Sequence, residues 1–229
     1  MLPLRADVPR KTFPLVNWAI VLANAAVFFH ELSLDQGLDR FILRYAVVPS
    51  HFSRAGMLAK AGPLLYLRPL FTSMFLHGGW MHLIGNMWFL LIFGAAVEDR
   101  VGHLRYLFFY LLCGVLSGAT QVWASWGSSV PTIGASGAIA GVLGAFFILY
   151  PFARVTTLVP LFIFVETFRV PASLFLGFWL WIQIYSGRMA MNGAGELGGV
   201  AWWAHVGGFV VGVVLLGAFL PAKERRSYA

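Results

Sequence analysis

Long apolar runs separated by short polar segments dominate the hydrophobic pattern of this chain. The runs approach the length of about 20 residues that an α-helix needs to cross the hydrocarbon core of a bilayer. Six membrane-spanning helices are predicted, at residues 13–32, 79–97, 103–123, 134–150, 171–186 and 201–220. The pattern thus predicts an all-α polytopic membrane protein, with a short tail at 1–12, one membrane domain at 13–220 and a basic tail at 221–229.

Two connections between the predicted spans contain more apolar residues than a solvated loop would. The first, residues 33–70, mixes them with five basic residues and is predicted to form interfacial helices that lie on the bilayer. The second, residues 151–170, is apolar in part, but Pro160 and Glu166 are unfavourable inside lipid. We interpret it as an interfacial connection, with a longer, tilted fifth span that starts near Thr157 as the alternative.

Composition places the chain in the membrane class. Its mean hydropathy is +0.78 and only 11% of its residues are charged, whereas a soluble domain carries about a quarter. The net charge of +7 comes from basic residues beside the apolar runs, so a membrane surface explains it and a nucleic-acid partner is not expected. The single cysteine, Cys113, excludes an intrachain disulfide.

The basic residues also predict the orientation of the spans. With six spans, both termini lie on one side of the membrane, and that side carries ten of the 16 lysine and arginine residues. The positive-inside rule therefore predicts that both termini are cytoplasmic. No organelle-targeting segment is recognisable at the start of the sequence, which favours a bacterial plasma membrane.

Four polar side chains fall in the outer parts of three spans that run in the same direction. His82 and Asn86 lie one helical turn apart in the second span, Ser136 is the third residue of the fourth, and His205 is the fifth of the sixth. Each residue alone could serve helix packing. A serine, two histidines and an amide at similar depth instead indicate acyl transfer, which needs a nucleophile, a base and donors to an oxyanion.

Small residues every three or four positions let two helix backbones approach closely. They recur on the fourth and sixth spans, at Gly137, Gly141, Gly144, Ala204, Gly208 and Gly212. If these two faces pack against each other, Ser136 and His205 come close to hydrogen-bonding distance. Helix packing without catalysis is an equally compatible explanation of the glycines.

Five motifs occur in order across roughly residues 65–215. They are Arg68, His77-x4-His82-x3-Asn86, Glu98-Asp99-Arg100-x-Gly102, Gly134-Ala135-Ser136-Gly137 and Ala204-His205-Val206-Gly207-Gly208. Together with the six spans, these motifs resemble those of the rhomboid family of intramembrane serine proteases in its minimal, bacterial-type form. The resemblance implies a six-transmembrane-helix rhomboid-like bundle with a long interfacial first loop.

The resemblance also implies a serine–histidine dyad, with Ser136 as nucleophile and His205 as general base. Asn86, His82 and the backbone N–H of Ser136 would form the oxyanion hole. The position of Ser136 in the first turn of a helix suits that role, because the amide N–H groups there have no intrahelical partner. The implied substrates are single-span transmembrane proteins in the same lipid bilayer, cut near the outer membrane face. No cofactor and no metal ion are expected.

One departure from the family pattern concerns the base. The family often has an aromatic residue three or four positions after the serine, packed on the base histidine, where this chain has Ile139 and Ala140. What orients His205 is therefore open. Glu196, in the glycine-rich loop before the sixth span, is the only acidic candidate nearby.

Three other functions compete with proteolysis by a serine. A non-catalytic rhomboid-like protein would bind membrane clients without cutting them, but such proteins typically lack the serine or the histidine. A transporter would often carry an internal repeat or broken helices at mid-membrane, and the sequence has no convincing repeat. A metalloprotease would need a His-Glu-x-x-His helix, whereas His77 and His82 are five residues apart without that glutamate.

Overall fold

The computed structural model of the 229-residue chain describes residues 2–53, 55–161, 164–191 and 199–221. Helices and three strands occupy most of these ranges. The α-helices are α1 (Leu15–Leu32), α2 (Leu38–Tyr45), α3 (Pro49–Ser53), α4 (Ala55–Thr72), α5 (Trp80–Phe89), α6 (Ala95–Val101), α7 (His103–Ala124), α8 (Ser136–Leu149), α9 (Ala172–Met191) and α10 (Trp202–Phe219). The strands are β1 (Leu2–Ala6), β2 (Arg154–Leu161) and β3 (Phe164–Pro171).

A helix lies over each of the six segments that the sequence predicts to span a membrane. In the described part of the chain, four helical stretches are both long and apolar enough to cross a bilayer. They are α1, α7, α10 and the continuous helix Trp80–Val101, which consists of α5, a π-helical turn and α6. α8 is apolar but has 14 residues, and α9 has 20. The chain is therefore a multi-pass integral membrane protein.

The long first connection is mostly helical. α2, α3 and α4 follow one another through it, and α4 bends at Gly62, where φ is +74°. Arg68 of α4 donates from Nη2 to the carbonyl oxygen of Arg44, at 3.2 Å, and its guanidinium carbon lies 4.9 Å from the ring centroid of Tyr45. The motif arginine thus ties α4 to the end of α2.

The prediction of an all-α fold is wrong in one region. β1, β2 and β3 form an antiparallel sheet in that order, so the predicted tail at 1–12 contains a strand. Residues 151–170 form a hairpin over most of their length, and the alternative of a fifth span that starts near Thr157 is also wrong. Burial alternates along β2, where Val155 and Thr157 are buried and Thr156 between them is not, and these β-branched residues favour a strand.

The two glycine-rich helices, α8 and α10, touch through their backbones. A Cβ atom added at Gly208 would lie 2.1 Å from the carbonyl oxygen of Gly137, and one added at Gly212 would lie 2.0 Å from that of Gly141. Any larger residue at these positions would push the helices apart. The predicted contact between the two small-residue faces is present, and it places the start of α8 beside the start of α10.

A buried polar cluster at the other end of the bundle fixes the start of α1. The Glu98 carboxylate accepts from the backbone N–H groups of Val16, at 2.9 Å, and Asn17, at 2.7 Å, which belong to the first turn of a helix and have no intrahelical partner. The Asn17 side chain donates to the carbonyl oxygen of Leu90, at 3.1 Å, and accepts from the hydroxyl of Tyr106, at 2.8 Å. We call Asn17, Glu98 and Tyr106 the Glu98 cluster.

Candidate active site

Ser136 is the first residue of α8 and His205 lies in the first turn of α10. The Nε2 atom of His205 is 2.7 Å from the Oγ atom of Ser136, which is hydrogen-bonding distance. Both side chains are half-buried. The backbone contact between α8 and α10 produces this geometry, because no long side chain separates the two helices beside the pair.

Gln183 of α9 holds the opposite edge of the His205 ring. Its Nε2 atom donates to the carbonyl oxygen of Trp179, at 3.1 Å, which turns its Oε1 atom toward the ring, 2.7 Å from Nδ1 of His205. An amide oxygen only accepts, so Nδ1 carries the ring proton. The Nε2 atom is then unprotonated and accepts from the Ser136 hydroxyl, which is the arrangement a general base requires.

Aromatic side chains from α9 and α10 lie against the His205 ring. The ring centroids of Trp179 and His205 are 5.9 Å apart, and that of Trp202 lies 6.4 Å from His205 at an angle of 85°. Ala140, which stands where the family often has an aromatic residue, is fully buried at the contact of α8 with Gly208. In this chain the ring is therefore held from α9 instead of α8.

α7 fixes Ala204, the residue that precedes His205. The Oγ atom of Ser117 donates to the carbonyl oxygen of Ala204, at 2.8 Å, and the Oε1 atom of Gln121 accepts from the N–H group of Ala204, at 3.0 Å. The Nε2 atom of Gln121 donates to Ser125, at 2.9 Å, so the amide is held at both ends. These contacts set the position of the first turn of α10, and sequence reasoning missed them.

Potential oxyanion donors lie beside the start of α8. The Nδ2 atom of Asn86 is buried and has no hydrogen-bond partner among the described residues. His82 accepts at Nδ1 from the N–H of Gly78, at 3.4 Å, so its Nε2 carries the proton and faces Gly134. A Cβ added at Gly134, where φ is +122°, would lie 2.6 Å from this Nε2 atom. The N–H of Ser136 adds a donor from a helix N-terminus.

These groups border one cavity of about 790 Å³. All four predicted side chains reach it, together with Trp179 and several apolar residues of α5 and α8. Its polar members are His82, Asn86, Ser136 and His205. An apolar cavity with a few convergent polar groups is the usual form of a small-molecule or peptide site. The arrangement can bind a peptide carbonyl beside a nucleophile and its base.

His77 lies next to this layer but does not line the cavity. It is buried, its N–H group faces the Glu31 carboxylate at 3.2 Å, and its ring is 5.0 Å from that of His82. Burial, and to a smaller extent His82, lowers the pKa of His77 to about 4. Across the described ranges, no three His, Cys, Asp or Glu side chains come together as ligands for a metal ion. Glu196 lies outside these ranges.

The chain is similar to proteins of one family. The model of the Rhomboid domain matches residues 65–222. RHOMBOID-like protein 1 of Arabidopsis thaliana is 28% identical over 228 residues, which cover 91% of this chain and 54% of that protein. Rhomboid protein 1, mitochondrial, of Saccharomyces cerevisiae is 30% identical over 149 residues, which cover 62% of this chain and 39% of that protein.

A third relative, RHOMBOID-like protein 6, mitochondrial, of Arabidopsis thaliana, is 38% identical over 76 residues, 33% of this chain and 24% of that protein. The chain thus spans about half of the length of these relatives or less. The matched domain covers well over half of this chain and contains the helices that carry Asn86, Ser136, Gln183 and His205. The chain belongs to the rhomboid family.

Proposed function

We propose that this chain is an intramembrane serine endopeptidase with six membrane spans, and that it cleaves single-span membrane proteins near the outer membrane face. One observation carries the proposal. The Ser136 hydroxyl is 2.7 Å from an unprotonated histidine nitrogen at the wall of a cavity that is also bordered by Asn86, whose buried amide nitrogen has no partner among the described residues. Nucleophile, base and oxyanion donor are the three parts that acyl transfer needs.

The roles follow from the protonation pattern. Nε2 of His205 accepts the proton of Ser136 as Oγ attacks the scissile carbonyl carbon. The negative charge on the carbonyl oxygen is stabilised by Nδ2 of Asn86, Nε2–H of His82 and the N–H of Ser136. His205 then gives its proton to the leaving amine, and the acyl group on Ser136 is released by water that His205 deprotonates in the same way.

The arrangement of the two ends of the bundle supports the membrane orientation. β1 pairs with β2, which follows the end of α8, whereas Ser136 begins α8. The chain start and the hairpin therefore lie at one end and the cavity at the other. With cytoplasmic termini, as the basic residues favour, the cavity opens toward the outer face of the membrane, which we propose to be a bacterial plasma membrane.

The shape of the cavity supports an unwound peptide as substrate. Met81, Phe89 and Leu143 give it apolar walls, and Trp179 of α9 closes one side. An intact helix hides its carbonyl groups in its own hydrogen bonds, so a transmembrane segment must unwind locally to expose the bond that is cut. Segments with helix-weakening residues near the outer interface are the expected substrates.

The decisive experiment is labelling with a fluorophosphonate and cleavage of a model single-span protein, both in detergent. Wild type should be labelled at Ser136 and should cleave, and Ser136→Ala and His205→Ala should lose labelling and at least about a thousandfold in kcat/KM. Ser33→Ala, which changes an exposed serine after α1, is the matched control and should behave as wild type.

The same experiment tests the competing function of a non-catalytic client-binding protein. Such a protein would bind the single-span substrate without cutting it and without reacting with the fluorophosphonate. A folded wild-type preparation that binds substrate, remains unlabelled and does not cleave would overturn the protease proposal in favour of client binding. Cleavage retained by purified Ser136→Ala would reject the assignment of the nucleophile.

A further inference from the structure

We propose that Gln183 is a positioning residue of this site and that the reactivity of His205 depends on α9 being docked against α10. The proposal deepens the protease function above and rests on it. It answers what holds the base in a chain that has Ala140 where the family often has an aromatic residue. It also assigns α9 a part in the chemistry, beyond forming a wall of the cavity.

Gln183 is buried and hydrogen-bonded, as expected of a residue that fixes the orientation of the His205 ring. Its side chain is only 5% exposed, and both ends of its amide are engaged, Nε2 with the carbonyl oxygen of Trp179 and Oε1 with Nδ1 of His205. The bond to Trp179 closes within one turn of α9, so the amide cannot turn over without losing this partly buried hydrogen bond. The Oε1 atom therefore faces Nδ1 persistently and selects the tautomer that leaves Nε2 free.

A neutral amide suits this location. An ionised carboxylate in the same place would need compensation for its loss of water, whereas an amide oxygen accepts one hydrogen bond without a net charge. No Asp or Glu side chain lines the cavity among the described residues. Gln183 thus does the orienting work that an acidic residue does in other serine hydrolases, with a weaker hydrogen bond.

The contact between α9 and α10 continues one turn beyond Gln183. A Cβ atom added at Gly187 would lie 3.2 Å from Cε2 of Trp203 and 3.3 Å from Cβ of Trp202, so α9 packs closely on the start of α10. On the cavity side, Trp179 lies one turn before Gln183. A movement of α9 away from α10 would widen the cavity and remove the acceptor from His205 at the same time.

A displacement of α9 would therefore open the cavity to substrate but lower the reactivity of His205. With α9 displaced, Nδ1 of His205 loses its partner, and the ring is free to rotate or to exchange tautomers. The base is correctly set only after α9 returns. A substrate segment that holds α9 away would occupy the cavity without being cut.

The first test compares two substitutions of Gln183. Gln183→Met keeps the length of the side chain and removes the acceptor, and should lower kcat and the rate of fluorophosphonate labelling by about tenfold to a hundredfold with KM little changed. Gln183→Glu keeps an acceptor for Nδ1 but loses the donor to Trp179 and adds a charge that must be desolvated, so it should recover only part of the loss. In ¹⁵N-histidine spectra, with the His205 signals identified by their absence in His205→Ala, wild type should show Nδ1–H, and Gln183→Met should show a mixture of tautomers.

The second test separates the hydrogen bond from the helix position. Gly187→Val should push α9 from α10 and reproduce the mixture of tautomers and the loss of kcat while Gln183 is intact. Gly177→Val is the matched control, because no heavy atom lies within 4 Å of a Cβ at Gly177, and should behave as wild type.

Two results would overturn the inference. One is wild-type kcat and labelling in Gln183→Met, and the other is a pure Nδ1–H tautomer in that variant. If Gln183 had only a structural role, Gln183→Met and Gln183→Glu would both be less stable than wild type, and the tautomer of His205 would be unchanged in both. Failure of the protease proposal can be distinguished from failure of this inference. If wild type is neither labelled nor active, the protease proposal fails, but the ¹⁵N spectra still show whether Gln183 selects the tautomer of His205.

Discussion

Polar groups are buried between apolar helices at both ends of the bundle, but the two ends differ in how completely these groups are hydrogen-bonded. In the Glu98 cluster the carboxylate accepts from two backbone N–H groups, and the Asn17 amide uses both its oxygen and its nitrogen. At the other end, the Asn86 amide nitrogen has no partner among the described residues and borders a cavity.

The difference shows which property of a buried polar group indicates function. Buried polar groups inside a membrane protein are costly unless they are paired, and a fully paired cluster is explained by the structure that it holds together. An unpaired donor that faces a cavity is not explained in that way. The Glu98 cluster should therefore contribute to stability, and the Asn86 amide to catalysis.

The largest expected effect belongs to the Glu98 cluster. Glu98→Ala leaves the buried N–H group of Asn17 and the partly buried N–H group of Val16 without acceptors and should lower the free energy of unfolding by roughly 2–5 kcal/mol. Equilibrium unfolding in mixed detergent measures this loss, and the folded fraction should keep wild-type kcat. The control is Glu166→Ala, at an exposed position of β3, with a change within about 0.5 kcal/mol. An unchanged stability in Glu98→Ala would contradict the structural role.

Asn86→Ala should have the opposite profile. Loss of one oxyanion donor lowers kcat by about 10²–10³-fold, whereas stability should be unchanged or slightly higher because an unpaired buried amide is removed. Cleavage kinetics and the melting temperature, measured on the same preparation, check both parts. Asn24→Ala is the matched control, since the Asn24 amide donates to Ile20 within its own helix, and should leave kcat unchanged. A lower melting temperature with unchanged kcat in Asn86→Ala would instead show that Asn86 has a structural role.

The smallest expected effect is on the pH dependence of stability and concerns His77. This residue is buried beside the candidate site but does not line its cavity. Its pKa of about 4 in the folded protein is below the ordinary value of 6.5, so the unfolded chain binds a proton that the folded chain does not. The folded state should therefore lose stability as the pH falls from about 6.5 toward 4, by about 1–3 kcal/mol from this residue.

The comparison that isolates this contribution is wild type against His77→Gln. Glu31 and His82 face His77 and remain in both proteins. The change in unfolding free energy between pH 7 and pH 4.5, compared between the two proteins, therefore reports the titration of His77 together with its coupling to His82. We expect a smaller pH dependence in His77→Gln. Equal pH dependence of the two proteins would show that His77 is not the group that titrates.

Sequence patterns lead to the polar layer because each of its members lies near the start of a recognisable span. His82, Asn86, Ser136 and His205 all border the cavity, as their matched depths predict. The motifs do not predict Gln183, because an acidic side chain is the usual partner of a catalytic histidine and Gln183 is neutral. The available signal was a carboxamide inside an apolar span, one turn after Trp179.

The sheet was missed for a different reason. The apolar residues of 151–170 predict an interfacial connection, and the partner strand β1 lies at the far end of the sequence, in the predicted tail, where no local pattern indicates the pairing. Proline at position 160 and the consecutive β-branched residues Val155, Thr156 and Thr157 favour extended backbone. Pairing over such a separation depends on how the helices bring the two segments together, which periodicity alone does not encode.

The sheet also determines how α9 can move. β3 runs directly into α9, and the N–H groups of Ala172 and Ser173 donate to the carbonyl oxygens of Ala153 and Pro151, at 2.8 and 2.9 Å. The first turn of α9 is thus a fixed pivot, with Gln183 about 16 Å along the arm. A tilt of about 10° about this pivot would shift Gln183 by about 3 Å, more than a hydrogen bond tolerates. If Gln183 positions His205 as proposed, the hairpin would thus make the geometry of the base sensitive to a small rotation of α9.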